Sequence, residues 1–179
     1  MSFLCIAPAS LQRLREQLTS HAPALAARIL HDAGFATGEA LAQVWPDRIR
    51  QRTGLDDPSR LDLRWFGPLL TEACRECGWG EATVSEFGDE ALLLASEHWS
   101  EATPDGSLRP SCHFTAGALA AFLTRLAGAP IAVREVECRS AGKSGCAFVA
   151  GSPATIGGAW DLLAAGGDWR DAFAGARPG

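Results

Sequence analysis

Apolar residues recur at three- and four-residue intervals through the first third of the chain: Leu11, Leu14 and Leu18, then Leu25, Ile29 and Leu30. That spacing puts them on one face of a helix. It predicts one helix from Ser10 and a second opening at Pro23, whose ring suits a first helical turn, with Ser20 or the residues after it as cap and Gly34 as the stop. "TGEALAQVWPDRIRQRTG" reads as a third helix, capped by Thr37 and kinked or ended at Pro46. A fourth spans roughly Leu61 to Cys77, closed by "GWG".

After Gly80 the period shifts towards two. "EATVSEF" and "ALLLASEHW" read as strands around a Gly88-Asp89 turn. "CHFTAGALAAFLTRLAG" is apolar on nearly every face as far as Arg125, the mark of a buried helix. "IAVREVEC" and "CAFVAG" make a second hairpin, "PATIGGAWDLLAAG" a closing helix, and "GGDWRDAFAGARPG" a loosely held tail. Helices followed by two hairpins with a helix between them predict an α+β fold, an antiparallel sheet of about four strands packed by helices on one face. Within one compact domain, the chain divides into a helical N-terminal part (1–58), a core (59–165) and a C-terminal tail (166–179).

Composition narrows the function classes. The 179 residues, 47% hydrophobic and 21% charged, suffice to bury about 70% of the unfolded surface in one core. Net charge is −5, and no Lys/Arg cluster offers a phosphate-tracking surface, so nucleic acid is excluded as a direct partner. No stretch reaches the roughly 18 apolar residues of a membrane span. "MSFLCIAPAS" lacks a signal peptide's leading charge and apolar run, so the expectation is a cytoplasmic protein. In a reducing compartment six cysteines point to metal or redox chemistry rather than a disulfide framework.

Cys138 ends one strand and Cys146 begins the next, so the hairpin returns one thiol to the other, with Gly142 and Gly145 permitting a tight connection. Two thiolates are half of a structural zinc site, which takes four ligands. Cys112 is the natural third, at the start of the buried helix, where the helix dipole favours thiolate. Glu135 or Glu137 is the fourth. Both lie opposite Cys138 in a regular strand, so parity does not choose between them, and a bulge is needed to bring either alongside. Cys74 and Cys77 share a helical face near a C-terminus, the wrong end for a redox pair, and read as reduced core or surface thiols. Cys5 carries no signal.

From Cys112 to Pro153 the chain resembles the 4-vinyl reductase domain family: Cys112, then Glu135-Val136-Glu137-Cys138, then seven residues to Cys146, with Phe148 as the aromatic that follows. The family's fold is related to subunits of the transport-particle complex, and its members include sensor domains of phenol- and xylene-responsive activators and a protein associated with bacteriochlorophyll synthesis. The resemblance implies a zinc site of Cys112, Glu135, Cys138 and Cys146, a small hydrophobic, aromatic or tetrapyrrole-like ligand, and a homodimer.

The small residues of the buried helix either let the sheet approach or leave an apolar cavity. Trp65, Phe66, Leu92, Leu94 and Trp99 are candidate walls, with His98, His113 and Phe114 beside them. The sequence thus favours a ligand-binding, sensor-type protein with a structural metal. The alternatives are an enzyme or accessory in vinyl-tetrapyrrole metabolism, disfavoured because no Gly-rich dinucleotide fingerprint follows a strand, and an assembly subunit.

Overall fold

The computed structural model describes residues 7–103, 109–164 and 167–174. Two helices, α1 (Pro8–His21) and α2 (Pro23–Thr53), lead through a 3-10 turn at Pro58–Arg60 to α3 (Leu63–Glu76). The hairpin β1 (Thr83–Phe87) and β2 (Ala91–Ser96) precedes α4 (His113–Ala127), the hairpin β3 (Ala132–Glu137) and β4 (Cys146–Gly151), then α5 (Pro153–Ala164) and α6 (Trp169–Ala174). The four strands form one antiparallel sheet ordered β1-β2-β4-β3. Pairing of Leu92 with Ala150, Leu94 with Phe148 and Ser96 with Cys146 joins the hairpins. This is the α+β fold expected from the periodicities.

Pro23 does open a helix, but Ala22 rather than Ser20 is its cap, and the helix continues through Gly34 and Pro46 to Gly54, whose φ of 74° ends it. Gly34 is therefore not a stop, Pro46 does not end the helix, and Thr37 is not a cap; its hydroxyl donates back to the Ala33 carbonyl at 3.1 Å. The glycines serve a crossing. A Cβ on Gly34 would lie 1.9 Å from the Phe114 carbonyl oxygen, one on Gly38 2.0 Å from that of Ala118, and one on Gly117 2.1 Å from that of His31. Hydrogen side chains let the α2 and α4 backbones touch, which local stop signals cannot reveal.

Alternation sorts the sheet's apolar residues onto two faces. Leu94, Phe148 and Ala150 join Trp45, Phe66, Leu70, Leu119 and Phe122 in the main core under α2, α3 and α4. On the opposite face Val149 packs with Ile156, Ala159, Trp169, Ala172 and Phe173. Helices thus cover both faces, not one. Part of the expected loose tail is α6, with Trp169 and Phe173 buried beside Phe87; residues 175–179 of that tail lie outside the described residues, as does Cys5. Burying such a ring contributes about 2–3 kcal/mol, enough to hold a short segment down. The fully buried β4 carries the matching signal, an apolar run without polar alternation.

Candidate functional site

Cys112 caps the N-terminus of α4, Cys138 follows β3, and Cys146 opens β4 on the same face as Phe148. The fourth group is settled by an irregularity in the β3–β4 ladder. Glu135 pairs with Phe148 but Glu137 pairs with Ala147, so the register slips at Val136. A bulge of one residue sends Glu135 and Glu137 to opposite faces. Glu137 goes to the α6 side, where it accepts hydrogen bonds from Trp169 Nε1 at 3.1 Å and Arg170 at 2.8 Å. Glu135, Cys138, Cys146 and Cys112 converge on the other.

The ligand atoms of these four residues all lie within 4.8 Å of one another, and all four side chains are buried. Cys112 Sγ is 3.7 Å from Cys138 Sγ and 3.9 Å from Cys146 Sγ. The Cys112 amide donates to Glu135 Oε2 at 2.8 Å, leaving Glu135 Oε1 buried without a partner. An unpartnered carboxylate oxygen beside three thiols costs free energy unless a cation meets it. The donor set therefore fits a metal ion.

Electrostatics agree. Hydrogen bonds from the Cys112 and Cys146 thiols hold Cys138 far below the usual thiol range. Bonding to those same two partners, with burial, raises Cys112. For Cys146 the Cys112 hydrogen bond pulls down, but its bond with Cys138 and burial prevail and push it up to about 12. Burial, and then the Cys138 charge, push Glu135 up to about 8. Without a cation the cluster holds one thiolate and shares protons among the rest, the behaviour of ligands crowded around a missing positive charge.

A second buried polar group next to the cluster is not signalled in the sequence. Glu101 accepts hydrogen bonds from the Phe114 amide at 3.1 Å, the Thr115 amide at 2.8 Å and the Thr115 hydroxyl at 2.6 Å, so it caps α4 from outside the helix. Buried Arg15 of α1 donates to the Glu101 carbonyl at 2.9 Å and to Ser140 Oγ at 3.2 Å, in the turn after Cys138. Residues so far apart in sequence meet only through the fold.

The eight candidate pocket residues do not form one wall. Phe66 and Leu92 line a cleft of about 620 Å³ between the sheet and the C-terminal part of α4. Leu94 and Trp99 line a closed void of about 10 Å³ with Leu70, Cys74, Leu119 and Phe148, no larger than one water. The Trp99 indole N–H is taken up by Thr115 Oγ1. Trp65 is 54% exposed, and His98 rims a polar groove with Glu81 and Glu137. Half-buried His113, its pKa lowered by burial and by Arg15, stands with Phe114 at the start of α4. Trp45, missed in the sequence, lines the large cleft.

Residues 101–152 match the family model of the 4-vinyl reductase domain. The phenol-responsive sensory domain of the transcription activator PoxR, solved with phenol, is similar with a TM-score of 0.67 and 17% identity, over 85% of this chain and 77% of that one. A trafficking protein particle complex subunit 3 from Naegleria fowleri, covalently bound to palmitic acid, is similar with a TM-score of 0.55 and 12% identity over 80% and 91%. A vinyl-4-reductase family protein from Methanocaldococcus jannaschii gives 0.49 and 19% over 84% and 97%. No curated protein matches the chain in sequence. The family match spans all four residues of the buried Cys/Glu cluster, and the chain carries a 4-vinyl reductase domain.

Proposed function

We propose that this chain is a cytoplasmic binding protein that receives a small hydrophobic or aromatic molecule between its sheet and helices, with a structural zinc ion fastening the β3–β4 hairpin to the start of α4. The cleft of about 620 Å³ carries the reading; it lies within the range of small-molecule sites, about 300–1,000 Å³. The fold shared with a phenol-responsive sensory domain supports it.

Zinc is favoured over other cations by the donors, because three thiolates and a carboxylate are soft-to-borderline ligands. Tetrahedral zinc with Zn–S bonds of about 2.3 Å sets its sulfurs about 3.8 Å apart, and the two separations from Cys112 Sγ are 3.7 and 3.9 Å. When bound, the ion supplies positive charge and a crosslink. Four protein ligands fill its shell, a structural rather than a catalytic arrangement.

Elemental analysis and native mass spectrometry of the purified protein test both halves. One zinc per chain and a retained hydrophobic molecule are expected; a protein that binds neither zinc nor any apolar probe ends the reading. A homodimer is part of the proposal, supported by Leu14, Leu25 and Ile29, 50%, 44% and 40% exposed on α1 and the start of α2. Light scattering after gel filtration reads its mass, and a monomer at all concentrations would remove it.

A further inference from the structure

Trp45 is wholly buried, yet its indole Nε1 has no hydrogen-bond partner. The ring packs edge-on against Phe122 at 4.9 Å and Phe66 at 6.1 Å between centroids, and Trp45 and Phe66 both line the large cleft. Buried Trp N–H groups ordinarily find an acceptor. Around the Trp45 indole the cleft is otherwise apolar, with Leu123, Leu126 and Ile131 opposite Leu92.

The mouth has the reverse character. Glu86, Asp89 and Glu90, on and around the β1–β2 turn, edge the cleft, and among its described lining residues there is no Lys, Arg or His. Glu86 pairs with Leu92 across the hairpin and so faces the same side of the sheet. A carboxylate, phosphate or sulfonate on a ligand would meet like charge at the mouth and no cation inside.

Resting on the reading of the cleft as a ligand site, we propose that Trp45 is a specificity-determining residue: its Nε1–H takes an acceptor oxygen of an uncharged, largely apolar ligand, while the acidic mouth rejects anions. The ligand class is a neutral ketone, ester, ether or alcohol on a hydrocarbon or aromatic body.

The test is calorimetric titration of the protein, as purified, with three probes of nearly one skeleton: 2-acetonaphthone, 2-ethylnaphthalene and 2-naphthoate. The ketone should bind at least about tenfold tighter than the other two. Trp45→Phe should weaken the ketone about tenfold, the scale of one buried hydrogen bond, and leave 2-ethylnaphthalene within about twofold. Glu86→Gln with Glu90→Gln should narrow the gap between ketone and carboxylate. If Trp45→Phe misfolds, indole ¹⁵N spectra of the wild type replace it: one indole N–H signal should move with the ketone and stay with 2-ethylnaphthalene. Equal binding of ketone and hydrocarbon, equal loss of both in the variant, or preference for the carboxylate overturns the assignment and leaves the cleft as a ligand site. Failure of all three probes to bind overturns the site itself and the assignment with it.

Discussion

The Cys112 amide and the Glu135 carboxylate are joined by a 2.8 Å hydrogen bond that uses Oε2 and leaves Oε1 to the three sulfurs. One carboxylate thus binds the helix start through one oxygen and offers the other to a cation. Glu135→Gln keeps an acceptor for the amide but removes the charge, and should weaken zinc binding by more than about tenfold, read by chelator competition. Cys138→Ser should release the metal and lower stability by several kcal/mol, because structural metal binding contributes directly to folding. A Cys138→Ser protein with normal zinc content would refute the ligand set.

Metal uptake should depend steeply on pH. Glu135, raised to about 8 by burial, and Cys146, raised to about 12, hold protons in the metal-free cluster that an ion must displace. Apparent affinity should therefore fall as pH falls below about 8, with protons released on binding. Zinc competition at pH 6, 7 and 8 in buffers of different ionisation enthalpy measures both; a flat profile contradicts the protonation scheme.

Arg15 ties α1 to the cluster's surroundings through the Glu101 carbonyl and Ser140. Arg15→Met, which retains much of the apolar stem, should cost about 2 kcal/mol by leaving buried acceptors unpaired, with zinc content unchanged. Urea denaturation combined with metal analysis separates the two effects.

Gly38 and Gly157 are both helical, yet should respond oppositely to alanine. At Gly38 the added methyl would lie 2.0 Å from the Ala118 carbonyl oxygen, while at Gly157 nothing lies within 4 Å. Gly38→Ala should destabilise by about 3 kcal/mol or more, since the backbones must part. Gly157→Ala should be neutral or stabilise by up to about 1 kcal/mol through a less flexible unfolded chain. Comparable melting temperatures for the two variants would disprove the close crossing.

Cys74 is 1% exposed, and burial, followed by neighbouring Cys77, raises its thiol to about 12. Iodoacetamide at pH 8 should label exposed Cys77 before Cys74. The native state keeps the Cys74 proton where the unfolded chain, with a thiol pKa of about 9, loses it. Stability should thus fall as pH rises from about 9 towards 12, a slope that Cys74→Ala reduces. Cys74 belongs to the main core, so Cys74→Ser should carry a measurable cost rather than the small effect of a surface change.

Periodicity, turn residues and the spacing of Cys112, Cys138 and Cys146 are properties of neighbouring positions, and they alone determined the helices, the two hairpins and the three thiols. The fold had to decide between Glu135 and Glu137, because a slip at Val136 reverses which face each side chain takes, and a ladder irregularity depends on the partner strand. Gly34 and Gly38 carried the local mark of a helix end; contact with α4 gave them another use. Trp169 and Phe173 looked like a loose end until the sheet offered an uncovered apolar face. Glu101 and Arg15 had no local signal at all, since burial makes such groups consequential and burial belongs to the packed chain.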